Sequence, residues 1–145
     1  MSQAKRGREK PRFPNSVVLF WDMVSHKAYL DLPHSACKEL PYFLKKVKRH
    51  LTAPERYTDT FDFSYREARK YGFAFSTHHR TICQLIEKGI IDPVAKGGMK
   101  SDRKSYNRFR LSERWRKYGT PEYEKLEWAT FVPASWSDSK SGNGK

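Results

Sequence analysis

The chain has 145 residues, room for about one domain, and carries 29 Lys+Arg against 16 Asp+Glu, a formal net charge of +13. That excess favours a polyanionic partner, since basic side chains that neutralise phosphates release condensed counterions; ribosomal, heparin-binding and basic membrane-surface proteins share it, so charge alone does not choose among them. No run approaches the roughly 18 apolar residues a membrane span needs and the first twelve residues lack the apolar stretch of a secretory signal, so no membrane-spanning helix and a cytoplasmic, nucleoid-associated location are expected.

Residues 1–14 include Lys5, Arg6, Arg8, Lys10 and Arg12 against Glu9 alone, and read as a disordered basic arm. Such an arm lies along phosphates or in a minor groove, or simply solubilises. The run Val17–Met23 is too apolar for a loop and is expected to pack as a strand or short helix. From Leu32 to Leu51, apolar residues at 32, 36, 40, 43, 44, 47 and 51 recur every three or four positions, the stripe of an amphipathic helix. Pro41 interrupts it, predicting a kink or a helix start near that point. Lys38, Lys45, Lys46, Lys48 and Arg49 fall on the opposite face. Residues 52–59 read as a loop.

Phe61 and Phe63 flank Asp62 as in a short half-buried strand. Ser64 is then an N-cap with Glu67 three residues on, a capping box, and Tyr65 and Ala68 form the inner face of a helix that Gly72 closes. A second helix is predicted from Ala74 or Ser76 to Lys88, ended by Gly89. Its helical phase gathers Phe75, His78, Ile82, Leu85 and Ile86 on the core side, with Ser76, Thr77, Arg80, Gln84 and Glu87 opposite and His79, Cys83 and Lys88 on the flanks. The run IIDPVAK and the segment RFRLS then make a two-stranded hairpin around a glycine-led tip, with Phe109 and Leu111 inward and Arg108 and Arg110 outward. Between Lys96 and Lys117 nine Lys+Arg face only Asp102 and Glu113, a density beyond what solvation requires. A short C-terminal helix capped by Ser112 and ended by Gly119 follows, with Trp115 and Tyr118 packing back, and residues 131–145 read as a flexible tail.

Strand, helix, turn, helix, strand, loop, strand is the order of a winged helix-turn-helix. The expected fold is therefore α+β: a three-helix core with a small antiparallel sheet and wing over residues 15–130, plus a short N-terminal element and a C-terminal helix. The second helix of that unit is shaped to enter a DNA major groove. Ser76, Thr77, His79, Arg80 and Gln84 are the expected base-reading residues, since Arg pairs bidentately with guanine and Gln with adenine. Lys88, Lys96, Lys100, Arg103, Lys104 and Arg108 are expected to hold phosphates.

The residues FDFSY, the helix ending in Gly72, Thr77 and Arg80 on the next helix, LIEKGIID, the Gly-Gly turn and YNRFRLSERWRKYGTP together resemble winged-helix proteins found on archaeal and bacterial mobile elements and phages, over about residues 20 to 125. The resemblance implies DNA binding, whether in transcriptional control, replication initiation or chromatin architecture. One departure is His78, which stands where such proteins usually place an apolar residue.

Other chemistry finds little footing. His78, His79 and Cys83 share a helix face but lack a third ligand, so no metal is expected. Cys37 and Cys83 lie on separate predicted helices, neither a disulfide framework nor a zinc spacing, and are expected as buried small apolar residues. GGMKSDRKS lacks phosphate-loop spacing, and neither paired carboxylates in a cleft nor a nucleophile elbow occurs. No enzyme activity, catalytic residue, cofactor or small-molecule ligand is expected. Most aromatic residues fall at core positions; Tyr106 and Phe73 are the two expected to be free to touch a partner. The leading expectation is a duplex-DNA-binding regulator or replication factor of a mobile element. The alternatives are an RNA-binding or ribosome-associated basic protein, and a winged-helix protein-interaction module, which predicts an apolar patch on the reading face. A homodimer contact would fall on the N-terminal segment or the Leu32–Leu51 helix, though no heptad series extends beyond it.

Overall fold

The structure, a computed structural model, describes residues 16–47, 53–97 and 107–132. Over these the chain is α+β. Helices α1 (Trp21–Val24), α2 (Lys27–Leu30), α3 (His34–Leu44), α4 (Tyr65–Lys70) and α5 (Phe75–Glu87) accompany strands β1 (Phe61–Asp62), β2 (Ile91–Ala95) and β3 (Arg108–Leu111), with 3-10 turns at Pro54–Tyr57 and Arg114–Lys117. The order from α3 to β3 is compatible with a winged-helix layout.

The α3 helix is shorter than its apolar stripe suggested. It starts behind Pro33 and ends at Leu44, burying Ala36, Glu39, Leu40, Phe43 and Leu44. Pro41 removes only the donor that would reach the Cys37 carbonyl, and the helix continues past it, with Lys45 N–H donating to the Pro41 carbonyl at 3.0 Å. A helix start at Pro41 is thereby replaced by one at His34. Val47 still packs half-buried on the core, whereas Lys48, Arg49 and Leu51 lie outside the described residues.

Ser64 caps α4, its Oγ accepting the Glu67 N–H at 3.0 Å. The return bond of a capping box is not made, because the Glu67 carboxylate takes Lys46 Nζ at 2.7 and 2.8 Å. An ion pair thus ties α4 to the end of α3. Both α4 and α5 end with a left-handed glycine, Gly72 at φ +93 and Gly89 at φ +80. In each case the next amide folds back, Phe73 to the Ala68 carbonyl at 3.0 Å and Ile90 to the Leu85 carbonyl at 2.9 Å, which satisfies carbonyls the helix leaves open. Gly89 has a second constraint. A Cβ there would sit 2.6 Å from the Trp115 nitrogen, whose N–H donates to the Gly89 carbonyl at 3.1 Å.

The sheet is antiparallel, in the order β1-β3-β2. Phe61 and Pro93 both register with Phe109, Ile91 registers with Leu111, and a bulge separates Pro93 from Ala95. Along β3, Phe109 and Leu111 are buried and Arg108 and Arg110 half-buried, the alternation a one-sided sheet requires. The core is an aromatic layer: Phe43 lies 4.8 Å from Phe63 and 6.2 Å from Phe109 between ring centroids. Beneath it Ile82, Leu85 and Ile86 of α5 are fully buried.

Several expectations need correction. Phe73 is buried rather than free, because the chain reversal at Gly72 turns it inward against Tyr42. The C-terminal helix is a single 3-10 turn, although Ser112 does accept the Arg114 N–H at 3.0 Å, Trp115 is buried and Gly119 follows with φ +92. Of the run Val17–Met23 only Met23 is buried, and Trp21 is 77% exposed; a four-residue helix has one inward side and leaves the rest outside. Cys37 and Cys83 are half-buried and free. Packing also reaches further than expected at the C-terminal end. Trp128 is buried 5.4 Å from Phe109, and Phe131 stacks on Trp128 at 6.1 Å. The arm at residues 1–14 and all of the tail from 133 onward lie outside the described residues.

Candidate nucleic-acid interface

The unit α4–turn–α5 is held by its inner face. Ala68, Phe73, His78, Thr81, Ile82, Leu85 and Ile86 are all buried, so α5 can lie on the core in one orientation only. His78 is the unusual member. It is fully buried, as is Glu39 of α3, whose carboxylate bonds His78 Nδ1. Its Nε2 lies 3.0 Å from the Phe63 carbonyl, a group that can only accept, so that nitrogen carries a proton. The ring therefore fills an apolar position because two polar partners, one from α3 and one from the β1–α4 junction, meet it there. Sequence offered one signal for this. Glu39 falls on the apolar stripe of α3, and an acid on a core face requires a partner.

With that face fixed, the outer one follows. Ser76 and Arg80 are exposed, and Thr77, Gln84 and Glu87 are half-buried. Arg80 has no ion-pair or hydrogen-bond partner among the described residues. The Gln84 Oε1 is occupied, accepting from Lys88 Nζ at 2.9 Å, so these two expected contacts are one pair in the free protein. Lys88 also lies 5.9 Å from the Tyr118 ring. The Thr77 carbonyl accepts the Thr81 hydroxyl at 3.1 Å. His79 is exposed, its Nδ1 3.1 Å from the Tyr65 hydroxyl and its Nε2 3.7 Å from Cys83 Sγ. Burial, then the nearby Glu87 charge, pushes the Cys83 thiol above its usual range, and burial does the same to the Tyr65 phenol. The thiol is therefore a weak nucleophile at neutral pH. No group of three or more His, Cys, Asp or Glu among the described residues could hold a metal ion.

Phe75 overturns its assignment to the core: it is 66% exposed. As the first residue of α5 its side chain tilts toward the N-terminus, beyond the last core contact. There it stacks on Tyr65 with ring centroids 4.2 Å apart and planes at 16°. An aromatic pair thus stands beside Ser76, His79 and Arg80 at the start of the helix. The position Thr81, left out of the predicted core, takes up burial instead.

Sequence reasoning missed the cations of α4. Arg66, Arg69 and Lys70 are exposed and have no side-chain partner among the described residues, while the acid of that helix, Glu67, is neutralised by Lys46. The signal was present in the spacing, since Arg66, Arg69 and Lys70 fall three and four residues apart, on one face opposite Ala68.

The hairpin is less uniformly available than its composition implied. Lys96 Nζ lies over the Trp128 ring at 4.9 Å and 3.4 Å from the Ala129 carbonyl. Arg108 donates to Thr60 Oγ1 at 2.7 and 3.2 Å and stands 3.7 Å from Asp62. Lys100, Arg103 and Lys104 lie outside the described residues. Arg114, counted with the basic region, is structural: its guanidinium donates to Asp92 at 2.6 Å, to the Ile86, Ile91 and Glu124 carbonyls at 2.8, 3.1 and 2.8 Å, and to the Tyr123 hydroxyl at 3.1 Å. Tyr123 in turn donates to the Glu87 carbonyl at 2.6 Å. These bonds close the C-terminal end of α5, where a cation is favoured by the helix dipole, and lock it to β2 and the C-terminal segment.

No described helix is long and apolar enough to cross a membrane. In comparisons with known proteins, no family model, no curated protein and no solved structure matches this chain, so its residues and their geometry carry the functional reading.

Proposed function

We propose that the protein is a winged-helix protein that binds duplex DNA, with α5 as the recognition helix. The observation that carries this reading is the outer face of α4–α5. A buried-faced helix offers Ser76, His79 and Arg80 at its start, and the preceding helix offers Arg66, Arg69 and Lys70, all four cations unpaired among the described residues. In a helix-turn-helix the first helix crosses the phosphate backbone while the start of the second meets base edges. Arg80 then reads guanine, with Ser76, Thr77 and Gln84 beside it, Gln84 on release from Lys88. Arg66, Arg69 and Lys70 join Lys100, Arg103 and Lys104 as phosphate contacts, with Lys96 added on release from Trp128 and Arg108 on release from Thr60. A role as regulator or replication factor of a mobile element fits this reading.

Phe75 bears on the alternative of a protein-interaction module, which an apolar patch on this face favours. Phe75 is the one exposed large apolar side chain of α5, backed by Tyr65 and followed along the helix by Ser76, His79 and Arg80, with Tyr71 43% exposed at the end of α4. Thymine offers a matching methyl group in the major groove, and Phe75 is assigned to that contact.

Equilibrium binding of the full chain to duplex DNA, single-stranded DNA and structured RNA tests the reading. Duplex is expected to bind best, with log K falling against log salt at a slope steeper than about −4, as five or more phosphate contacts require. On a selected site Arg80→Ala costs about 1–3 kcal/mol and relaxes discrimination, whereas Lys104→Ala weakens all sequences alike. A shallow salt dependence, or preference for RNA, refutes the proposal.

A further inference from the structure

The ring of Phe75 is exposed but held in place. Tyr65 lies against one face of it, with ring centroids 4.2 Å apart and planes at 16°. Tyr65 is itself half-buried and doubly fixed, its hydroxyl 3.1 Å from His79 Nδ1 and its ring perpendicular to that of the buried His78 at 5.0 Å. The other face of Phe75 is thus a fixed apolar surface at the first residue of α5, the part of a recognition helix that meets base edges. An aromatic side chain has only two χ angles to immobilise, so little entropy opposes a contact made there.

The apolar group that a base pair presents in the major groove is the methyl on C5 of thymine. Cytosine gains the same methyl at the same place when it is methylated on C5. The two bases then differ beside that methyl only in the exocyclic group, an O4 acceptor in thymine and an N4 amine donor in cytosine. Excluding one of them takes a partner that serves only the other. A carboxylate would single out cytosine by accepting from N4, and the first turn of α5 holds no acidic residue. Ser76, next to Phe75, suits either base, because a hydroxyl both donates and accepts.

We infer that the protein recognises the C5-methyl group of a pyrimidine irrespective of the exocyclic group, so that methylation of cytosine at C5 raises its affinity for duplex DNA. The inference rests on the reading of α5 as the recognition helix. It names the modified base that the Phe75 surface accepts in place of thymine, and it makes the methyl worth the same factor on either ring.

The test uses the full chain and a duplex selected by it from a random-sequence pool. At each pyrimidine of that duplex in turn, two matched pairs are compared: thymine against uracil opposite adenine, and 5-methylcytosine against cytosine opposite guanine. Each pair differs by the methyl alone. At one position both affinity ratios are expected to be about fourfold, the worth of one buried methyl-sized group. Both are expected to fall to about one in Phe75→Ala, a substitution at an exposed position that leaves the core of α5 intact. Absence of duplex binding overturns the recognition-helix reading and this inference together. Duplex binding in which 5-methylcytosine is no better than cytosine at every position overturns the inference alone, as does a methyl preference that survives Phe75→Ala.

Discussion

Removing the Glu39 carboxylate is the perturbation whose outcome the structure constrains most tightly. Glu39 and His78 are both fully buried and joined to each other. In Glu39→Ala the imidazole keeps only the Phe63 carbonyl, and a polar group or charge is left unmatched in a dry aromatic core. Loss of one partner of a buried pair costs about 3–5 kcal/mol, a large share of the roughly 5–15 kcal/mol that holds a domain of this size. The pair itself is a different quantity. Glu39 Oε1 has no hydrogen-bond partner among the described residues, an unsatisfied buried acceptor that costs about 1–3 kcal/mol. Replacing both residues by apolar ones of similar volume, Glu39→Met with His78→Leu, is therefore expected to be neutral or stabilising. Urea unfolding of the wild type, Glu39→Met, His78→Leu and the double variant gives the coupling energy directly, with Glu39→Ala measured beside them. If Glu39→Ala stays within about 1 kcal/mol of wild type, or the two single losses simply add in the double variant, the account of α5 as pinned by this pair is wrong.

Three further outcomes are expected. Arg114→Ala, which removes a guanidinium with five acceptors and leaves Asp92 with only Arg110 at 3.5 Å, lowers stability by about 2–5 kcal/mol; a change below about 1 kcal/mol in thermal unfolding would return Arg114 to the phosphate-binding set. Leu85→Ala costs about 2–5 kcal/mol by emptying a fully buried position, while Gln84→Ala stays within about 0.5 kcal/mol, and the reverse order in urea unfolding would invalidate the helical phase. Phe75→Ala costs only about 0.5–1.5 kcal/mol through its lost stacking on Tyr65, but abolishes any preference for thymine over uracil in an otherwise identical duplex; a preference that survives the substitution assigns the methyl contact to another residue.

Local signals proved readable where they were sufficient. The hydroxyl cap at Ser64, the glycines after α4 and α5, and the alternation along Arg108–Leu111 each depend on residues within one turn or one strand, and each formed as expected. What stayed hidden depends on contacts across the chain. Glu39 and His78 are 39 positions apart, and Arg114 and Ile86 are 28 apart; periodicity puts His78 and Ile86 on the core side but does not name their partners. Phe75 failed for another reason. Its angular phase was right, but the axial position at the first residue of α5 carries the ring past the core, and a helical wheel has no axial coordinate. At the candidate interface the same limit appeared in reverse. Arg80 was legible from phase alone, whereas the engagement of Gln84 by Lys88 and of Lys96 by Trp128 required the coordinates.

The outer margin of the sheet bears on how this chain meets copies of itself. Among the described residues β2 pairs only with β3, which makes it an edge strand onto which another chain could be laid. Pro93 in its middle has no amide hydrogen to offer, and the bulge before Ala95 breaks the repeat of donors and acceptors a newcomer would have to match. The opposite strand, β1, is two residues long, too short to seed a ladder. Strand-by-strand growth into fibres or sheet-mediated pairs is thus discouraged at both margins of this sheet, which turns any self-association across it toward side-chain contacts.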